Sequence, residues 1–246
     1  MSNSSNSLKT PSKTLGVLGG MGPAAGAEFL RLLAKDAPAR SDQEHPRLLL
    51  ISESSVPDRS AAIHASLNGL SLAPSDDPTI LLRSSLDRLI EWGADILAVP
   101  CNTAHFFIDK FRVELTKPLV HIVEATVAAA ASASPGGAWL LSTSGTRASG
   151  IYPAYAKTVG YRFREPSDAE QGRADKSLRL VKSGDIPEAG KVLREVVEEL
   201  WSQEDIPVVT ACTELPLAYS VSGLPAKREI SSLKALSDAC LRVLYS

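Results

Sequence analysis

Two cysteines occupy similar polar settings in this sequence: Cys101 opens a Cys-Asn-Thr segment and Cys212 opens a Cys-Thr-Glu segment. Each follows a run of apolar β-forming residues and precedes a predicted helix. Ligands of open parallel α/β sheets bind beyond the carboxyl ends of the strands. A thiol there also lies near a helix N-terminus, which lowers its pKa and favours the thiolate. We therefore predict that both are reactive thiols and not packing residues.

Two opposed thiols suit the inversion of a stereocentre at Cα. Inversion needs a base on one face of the carbon and an acid on the other, and the two groups exchange roles for the reverse direction. The pair then shares one proton, so its titration belongs to both groups together. The third cysteine, Cys240, shares a helical face with Leu233, Leu236 and Val243 and is predicted to be a core residue.

The residues beside the two thiols suit an anionic ligand. Asn102, Thr103 and Thr213 offer side-chain donors and backbone N–H groups at predicted helix starts. Such positions bind carboxylates. Thr213 is also a good N-cap, a role compatible with binding.

The elements that position these residues alternate between strand and helix. Apolar runs predict strands, and apolar residues at helical spacing predict helices, with Gly93 as a C-cap and 134–137 as a break. The predicted strands are 15–18, 47–53, 95–99, 120–123, 138–141 and 206–210, and the predicted helices are 24–36, 82–90, 189–200 and 231–245. This alternation predicts right-handed βαβ units and parallel sheets.

The two halves of the chain resemble each other. Each begins with a strand and a turn rich in small residues, and each has a later strand that ends in a cysteine. We predict an α/β fold of two similar domains, each a parallel sheet flanked by helices, with pseudo-twofold symmetry and an interdomain cleft. The predicted division is a disordered tail at 1–13, a first domain at 14–120 plus 221–246, and a second domain at 121–220.

Composition excludes several other classes of protein. The 246 residues carry a formal net charge of -2, which favours neither nucleic acid nor an anionic membrane as a partner. Residues 1–13 lack the apolar region of a secretory signal, and an odd number of widely spaced cysteines argues against a disulfide framework. We therefore expect a cytoplasmic protein with reduced thiols. His105 and Cys101 have the spacing of a zinc-ligand pair, but no second pair completes a metal site, so we expect none.

Several short motifs occur in one order along the chain. They lie at 19–23 (Gly-Gly-Met-Gly-Pro), 56–63 (Val-Pro-Asp-Arg-Ser-Ala-Ala-Ile), 93–95 (Gly-Ala-Asp), 100–105 (Pro-Cys-Asn-Thr-Ala-His) and 211–215 (Ala-Cys-Thr-Glu-Leu). Taken together, they resemble the aspartate/glutamate racemase family. The resemblance extends from residue 14 to about residue 217.

The resemblance implies two α/β domains with the site between them, a small amino-acid substrate and a homodimer. It implies racemisation without pyridoxal phosphate, metal or nucleotide, so no cofactor is expected. Cys101 and Cys212 match the two catalytic bases. The residues matched to substrate binding are Met21, Arg59, Asn102, Thr103, Thr146, Lys182 and Thr213. Among these, Arg59 and Lys182 are expected to face the side-chain carboxylate of an acidic substrate.

Other activities stay open at this stage. The same superfamily contains racemases for other amino acids or hydantoins, maleate cis–trans isomerases and arylmalonate decarboxylases. The sequence departs from the family pattern at Ser142, Leu178, Ala211 and Ser231, so the substrate is not fixed. A non-catalytic small-molecule binding protein is the alternative from a different class, although binding alone would not require two thiols.

Overall fold

The computed structural model describes residues 11–246, so most of the predicted tail, residues 1–10, lies outside the described residues. The first half contains four strands: β1 (Leu15–Gly19), β2 (Leu48–Ser52), β3 (Ile96–Ala98) and β4 (Leu119–Val120). Its helices are α1 (Pro23–Asp36), α2 (Arg59–Leu67), α3 (Pro78–Glu91), α4 (His105–Ile108) and α5 (Ile122–Ala133). No helix within residues 11–246 is long and apolar enough to cross a membrane.

The second half repeats this plan. Its strands are β5 (Ala138–Ser142), β6 (Phe163–Arg164), β7 (Val208–Ala211) and β8 (Glu229–Ser231). Its helices are α6 (Ser144–Ser149), α7 (Ile151–Thr158), α8 (Asp168–Ser183), α9 (Ile186–Gln203), α10 (Leu215–Val221) and α11 (Ser232–Leu244). Short 3-10 turns at 42–44, 112–114 and 226–228 complete the regular structure.

Both sheets are parallel and four-stranded, and they have equivalent strand orders. The first is β2-β1-β3-β4 and the second is β6-β5-β7-β8. The central strands β1 and β5 are buried along their whole length, as expected for parallel strands covered by helices on both faces. The predicted fold class of two similar α/β halves is confirmed.

One predicted strand is wrong. The segment 120–123 was expected to be a strand, but β4 ends at Val120 and α5 begins at Ile122. His121 caps α5, with its ring nitrogen Nδ1 accepting a hydrogen bond from the backbone N–H of Glu124. A short apolar run is compatible with a strand or with the first turn of a buried helix, and here the helical face of α5 packs into the core.

The C-terminal segment contacts both halves. Strand β8 pairs with β7 in the second sheet, whereas α11 packs against α1 and α5. One apolar cluster contains side chains from both sheets, and Cys240 is fully buried within it, as its spacing predicts. We propose 14–120 plus 221–246 and 121–220 as the two domains, with the exception that β8 belongs to the sheet of the second domain.

Helices α2 and α6 meet closely between the halves. A Cβ atom added to Gly145 of α6 would lie 2.5 Å from the Cα of Ser60 in α2, which is closer than two carbon atoms approach without a shift of the backbone. Gly172 of α8 offers a contrast, because a Cβ added there would have no neighbour within 4 Å. A side chain at position 145 must therefore push the two halves apart.

We expect Gly145→Ala to lower the free energy of unfolding by about 1–3 kcal/mol, the usual cost of overpacking. The matched variant Gly172→Ala should raise it by up to about 1 kcal/mol, because alanine is the better helix former. Urea unfolding of both variants measures the difference. Equal stabilities would show that the contact between α2 and α6 gives way without cost.

Candidate active site

Both candidate thiols line one pocket between the two halves. Cys212 directly follows β7 and Cys101 comes shortly after β3, so the pocket lies beyond equivalent strands of the two sheets. The lining residues are Met21, Asp58, Arg59, Ser60, Cys101, Asn102, Thr103, Thr143, Lys182, Cys212, Thr213 and Glu214. The segments after β1, β2 and β5 also contribute, as the carboxyl-end rule for parallel sheets requires.

The structure brings most of the predicted site residues together, although their roles remain predictions. Thr146 differs, because it is buried behind the pocket wall and not among the lining residues. Four lining residues had been assigned no role in the site: Asp58, Ser60, Thr143 and Glu214. Asp58, Ser60 and Glu214 lie inside the motifs that carry the family resemblance, and Thr143 directly follows β5.

The Cys101 thiol is 5 % exposed. Burial raises its pKa, because a thiolate loses solvation inside the protein, and the positive charge of Arg59 opposes this rise. A lowered pKa was expected from a following helix, and that expectation is wrong in this structure. Helix α4 has a single turn and begins four residues after Cys101, so its N-terminus does not offset the loss of solvation.

The Cys212 thiol is also 5 % exposed and donates a hydrogen bond to Glu214 Oε2 at 3.1 Å. Burial raises its pKa well above the ordinary thiol value, and the negative charge of Glu214 adds to the increase. Lys182 has the opposite, smaller effect. The expected lowering is therefore wrong here too, and Glu214 is the neighbour that the spacing argument did not consider.

A buried histidine supports the backbone at Cys101. The Nδ1 atom of His105 lies 2.8 Å from the Cys101 carbonyl oxygen, and its ring packs edge-to-face on His121. Burial lowers the pKa of His105 well below its usual value, and the nearby His121 adds to this effect. The ring is therefore neutral and donates to the carbonyl through Nδ1. Within residues 11–246, no cluster of three His, Cys, Asp or Glu side chains is arranged to hold a metal ion.

Three threonine hydroxyls meet where the halves touch. Thr103 Oγ1 lies 3.1 Å from Thr143 Oγ1 and 2.8 Å from Thr146 Oγ1. Thr143 also caps α6 by accepting a hydrogen bond from the Thr146 N–H at 3.0 Å. Thr146, which the family resemblance assigns to substrate binding, therefore lies behind Thr143 at the pocket wall, and its contact with substrate stays a prediction.

Asn102 is held by protein partners at both ends of its side-chain amide. Its Nδ2 donates to Ser232 Oγ at 3.0 Å, and its Oδ1 accepts from the Tyr152 hydroxyl at 2.6 Å. Both partners belong to helices of the second half of the chain. These bonds fix the position of the loop that carries Cys101, while the predicted contact of Asn102 with substrate stays a prediction.

Two cations and two carboxylates line the pocket. Arg59 Nη1 donates to the carbonyls of Val56 and Pro57 at 3.0 and 3.1 Å, and Nη2 lies 3.5 Å from that of Met21. Its Nε is buried and has no hydrogen-bond partner among the described residues. Lys182 approaches from the last turn of α8. This arrangement can hold the carboxylates of a small anion.

Asp58 directly precedes Arg59 in the chain and is the N-cap of α2. Its Oδ1 accepts a hydrogen bond from the Ala61 N–H at 3.0 Å. Burial by itself would raise the pKa of Asp58, but this bond and the charges of Arg59 and Lys182 outweigh it, so the pKa is lowered. Asp58 therefore stays ionised in the pocket.

Residues 18–236 match the family model described as "Asp/Glu/Hydantoin racemase". The chain belongs to this family. It is 25% identical over 205 residues to the broad specificity amino-acid racemase RacX of Bacillus subtilis (strain 168), a match that covers 82% of this chain and 85% of the relative. It is 29% identical over 154 residues to the glutamate racemase of Deinococcus radiodurans, which covers 59% of this chain and 51% of that enzyme.

The chain is also similar to solved structures over almost its whole length. The Picrophilus torridus aspartate racemase has a TM-score of 0.78 and 27% identity, with 94% of each chain covered. An aspartate racemase homologue of Pyrococcus horikoshii, at 20% identity, has the same fold, with a TM-score of 0.70 and 95% of this chain and 99% of that chain covered. Membership in the racemase family confirms the predicted enzyme class, an amino-acid racemase and thus an isomerase.

We expect Tyr152→Phe to lower the free energy of unfolding by about 1–3 kcal/mol, because the buried Asn102 Oδ1 loses its donor. Tyr245→Phe is the matched control. Its hydroxyl donates to the Glu44 carbonyl at 2.7 Å at a partly exposed site, where water can replace it. Denaturant unfolding compares the two variants, and equal losses would mean that Tyr152 does not support the Cys101 loop.

Proposed function

We propose that the protein racemises an amino acid without pyridoxal phosphate, with Cys101 and Cys212 as the two bases. The supporting observation is that both thiols, from equivalent strand ends of two sheets with matching strand order, line one pocket. Two domains that face each other can present one thiol to each side of a bound Cα. A single sheet would present both from the same side.

The proposed reaction transfers one proton off Cα and another onto it. The thiolate of one cysteine takes the Cα proton and becomes a thiol, and the electron pair passes to the substrate carboxylate as an enediolate. The other cysteine donates its thiol proton to the opposite face of Cα and becomes the thiolate. The substrate is inverted, and the pair still holds one proton, which is now on the other sulfur.

We propose aspartate or glutamate as the substrate. Either brings two carboxylates into the pocket, and an unpaired buried charge is costly. Arg59 and Lys182 supply two cations from different domains, and the planar guanidinium of Arg59 suits a carboxylate. The free, buried Nε of Arg59 is a donor available to such a group. The α-carboxylate would be bound by the donors around Asn102, Thr103 and Thr213.

Two further parts of this proposal follow from the family resemblance and the sequence. We propose a homodimer as the functional assembly, because members of the family are usually dimers. We also propose that the enzyme works in the cytoplasm with its thiols reduced.

We expect Cys101→Ala and Cys212→Ala each to abolish racemisation, because inversion requires a group on both faces of Cα. Cys240→Ala is the matched control, since this thiol is buried in the core away from the pocket. Incubation with each enantiomer in deuterated water, with optical rotation and Cα deuterium followed together, measures the effect. Substantial racemisation by either of the first two variants would disprove the two-base mechanism.

We expect Arg59→Leu to reduce kcat/KM for aspartate and glutamate roughly ten- to a hundredfold, because each hydrogen bond to a charged group contributes about 1.5–3 kcal/mol. The loss for alanine should be much smaller. Arg31→Leu, at an exposed position on α1, is the control. Arg59→Lys keeps the positive charge but loses the planar guanidinium. It therefore distinguishes the effect of the charge from the effect of the hydrogen bonds that Arg59 donates to the Val56 and Pro57 carbonyls.

Equal losses for aspartate, glutamate and alanine in Arg59→Leu would contradict the acidic substrate. The broad specificity of the Bacillus subtilis relative makes neutral amino acids the alternative to test alongside. A wild-type enzyme that prefers them would show that the departures from the family pattern around Cys212 have changed the substrate.

A further inference from the structure

We propose that Glu214 is a positioning residue that keeps the shared proton of the resting thiol pair on Cys212. The resting enzyme then begins turnover with Cys101 as the base and Cys212 as the acid. This inference rests on the proposed two-cysteine mechanism and adds to it an asymmetry between the two thiols.

The contacts of Glu214 carry the proposal. Its side chain is buried at 4 % exposure. Oε2 accepts hydrogen bonds from Cys212 Sγ at 3.1 Å and from Thr213 Oγ1 at 3.2 Å. An ionised carboxylate has no hydrogen to donate. With Cys212 Sγ as the donor of this bond, the hydrogen between the two atoms is the thiol proton of Cys212.

The other carboxylate oxygen is held by the opposite half of the molecule. Oε1 accepts a hydrogen bond from the backbone N–H of Gly22 at 3.1 Å, and Gly22 is the N-cap of the 14-residue helix α1. A helix N-terminus attracts negative charge, so this contact holds the Glu214 carboxylate in place. A Cβ at Gly22 would lie 3.2 Å from Oε1, so the glycine allows this close approach.

The charges around the two thiols differ in the direction the proposal requires. Cys212 faces Glu214 on its own segment, Lys182 from α8 and Tyr152 from α7. A thiolate there would be a second buried anion against a carboxylate. For Cys101 the positive charge of Arg59 is the strongest influence that favours the thiolate, and it exceeds the opposite effect of Glu214; Lys182 also favours the thiolate. Asp58 is the remaining carboxylate of the pocket.

The asymmetry has a consequence for turnover. A substrate enantiomer whose Cα–H faces Cys101 meets the resting enzyme directly. After one inversion, the thiolate is on Cys212 beside Glu214, which is the less stable arrangement. The proton must then return from Cys101 to Cys212 before the next molecule of that enantiomer can react.

Alkylation of the thiols by iodoacetamide tests the proposal without turnover. Peptide mass spectrometry gives the rate at each cysteine between pH 6 and 11, and the midpoint of each profile is an apparent pKa of the coupled pair as sensed at that sulfur. Both site cysteines are buried to the same degree, at 5 % exposure. In the wild-type enzyme we expect Cys101 to react first and the Cys212 midpoint to lie at higher pH.

Glu214→Gln keeps the size of the side chain and removes its charge. We expect the Cys212 midpoint to fall by at least about one pH unit, the usual effect of removing a nearby like charge, which is roughly a tenfold gain in rate below the midpoint. The Cys101 midpoint should change less. Glu214→Asp should restore a raised midpoint, and Glu188→Gln, an exposed carboxylate in the first turn of α9, should leave both profiles unchanged.

The proposal would be overturned if Cys212 reacted first in the wild-type enzyme, or if Glu214→Gln left its midpoint unchanged while thermal unfolding showed a folded protein. Failure of the two-base mechanism is distinguishable from this result. It appears as racemisation that survives Cys101→Ala or Cys212→Ala, whereas the alkylation profiles do not depend on catalysis.

Discussion

The ends of two sheets face each other across one pocket, and the rest of the structure depends on this constraint. The proposed mechanism needs a thiol on each side of a single carbon, and therefore two supports that approach from opposite directions. The chain meets this requirement with two parallel sheets of equivalent order, β2-β1-β3-β4 and β6-β5-β7-β8, each of which delivers a cysteine beyond its third strand in sequence. The mixed apolar cluster around α5 and α11 joins the two sheets, so the distance between the thiols depends on that core.

Close contacts hold the pocket walls together. Gly145 lets α6 approach Ser60 at the start of α2, next to Arg59. Thr103 bonds to Thr143 and Thr146 across the same boundary. These contacts bury the residues of the pocket walls, and burial strengthens the charge interactions between them.

Burial has a cost for the proposed chemistry, because buried thiols resist ionisation. The pKa values of both cysteines are raised by burial. Arg59 and Lys182 partly counteract this effect, whereas Glu214 increases it. The pocket therefore balances two cations against two carboxylates and two thiols, and the placement of Glu214 next to one thiol makes the balance unequal.

The sequence alone determined the alternation of strands and helices, the two-fold repeat of the plan, and the placement of Cys101 and Cys212 at a polar site and of Cys240 in the core. These features depend on local apolar periodicity and on residues next to each other in the chain, which a sequence displays directly. The same information misplaced 120–123, because a short apolar run fits both a strand and the start of α5.

Only the tertiary structure decided how the site is assembled. It placed Thr143 at the pocket wall with Thr146 behind it, joined the Asn102 amide to Tyr152 and Ser232, and brought Glu214 to Gly22. It also reversed the expected direction of the thiol pKa values, since burial depends on everything that packs around a group. Such contacts join residues far apart in the chain, and no local pattern encodes the distance between them.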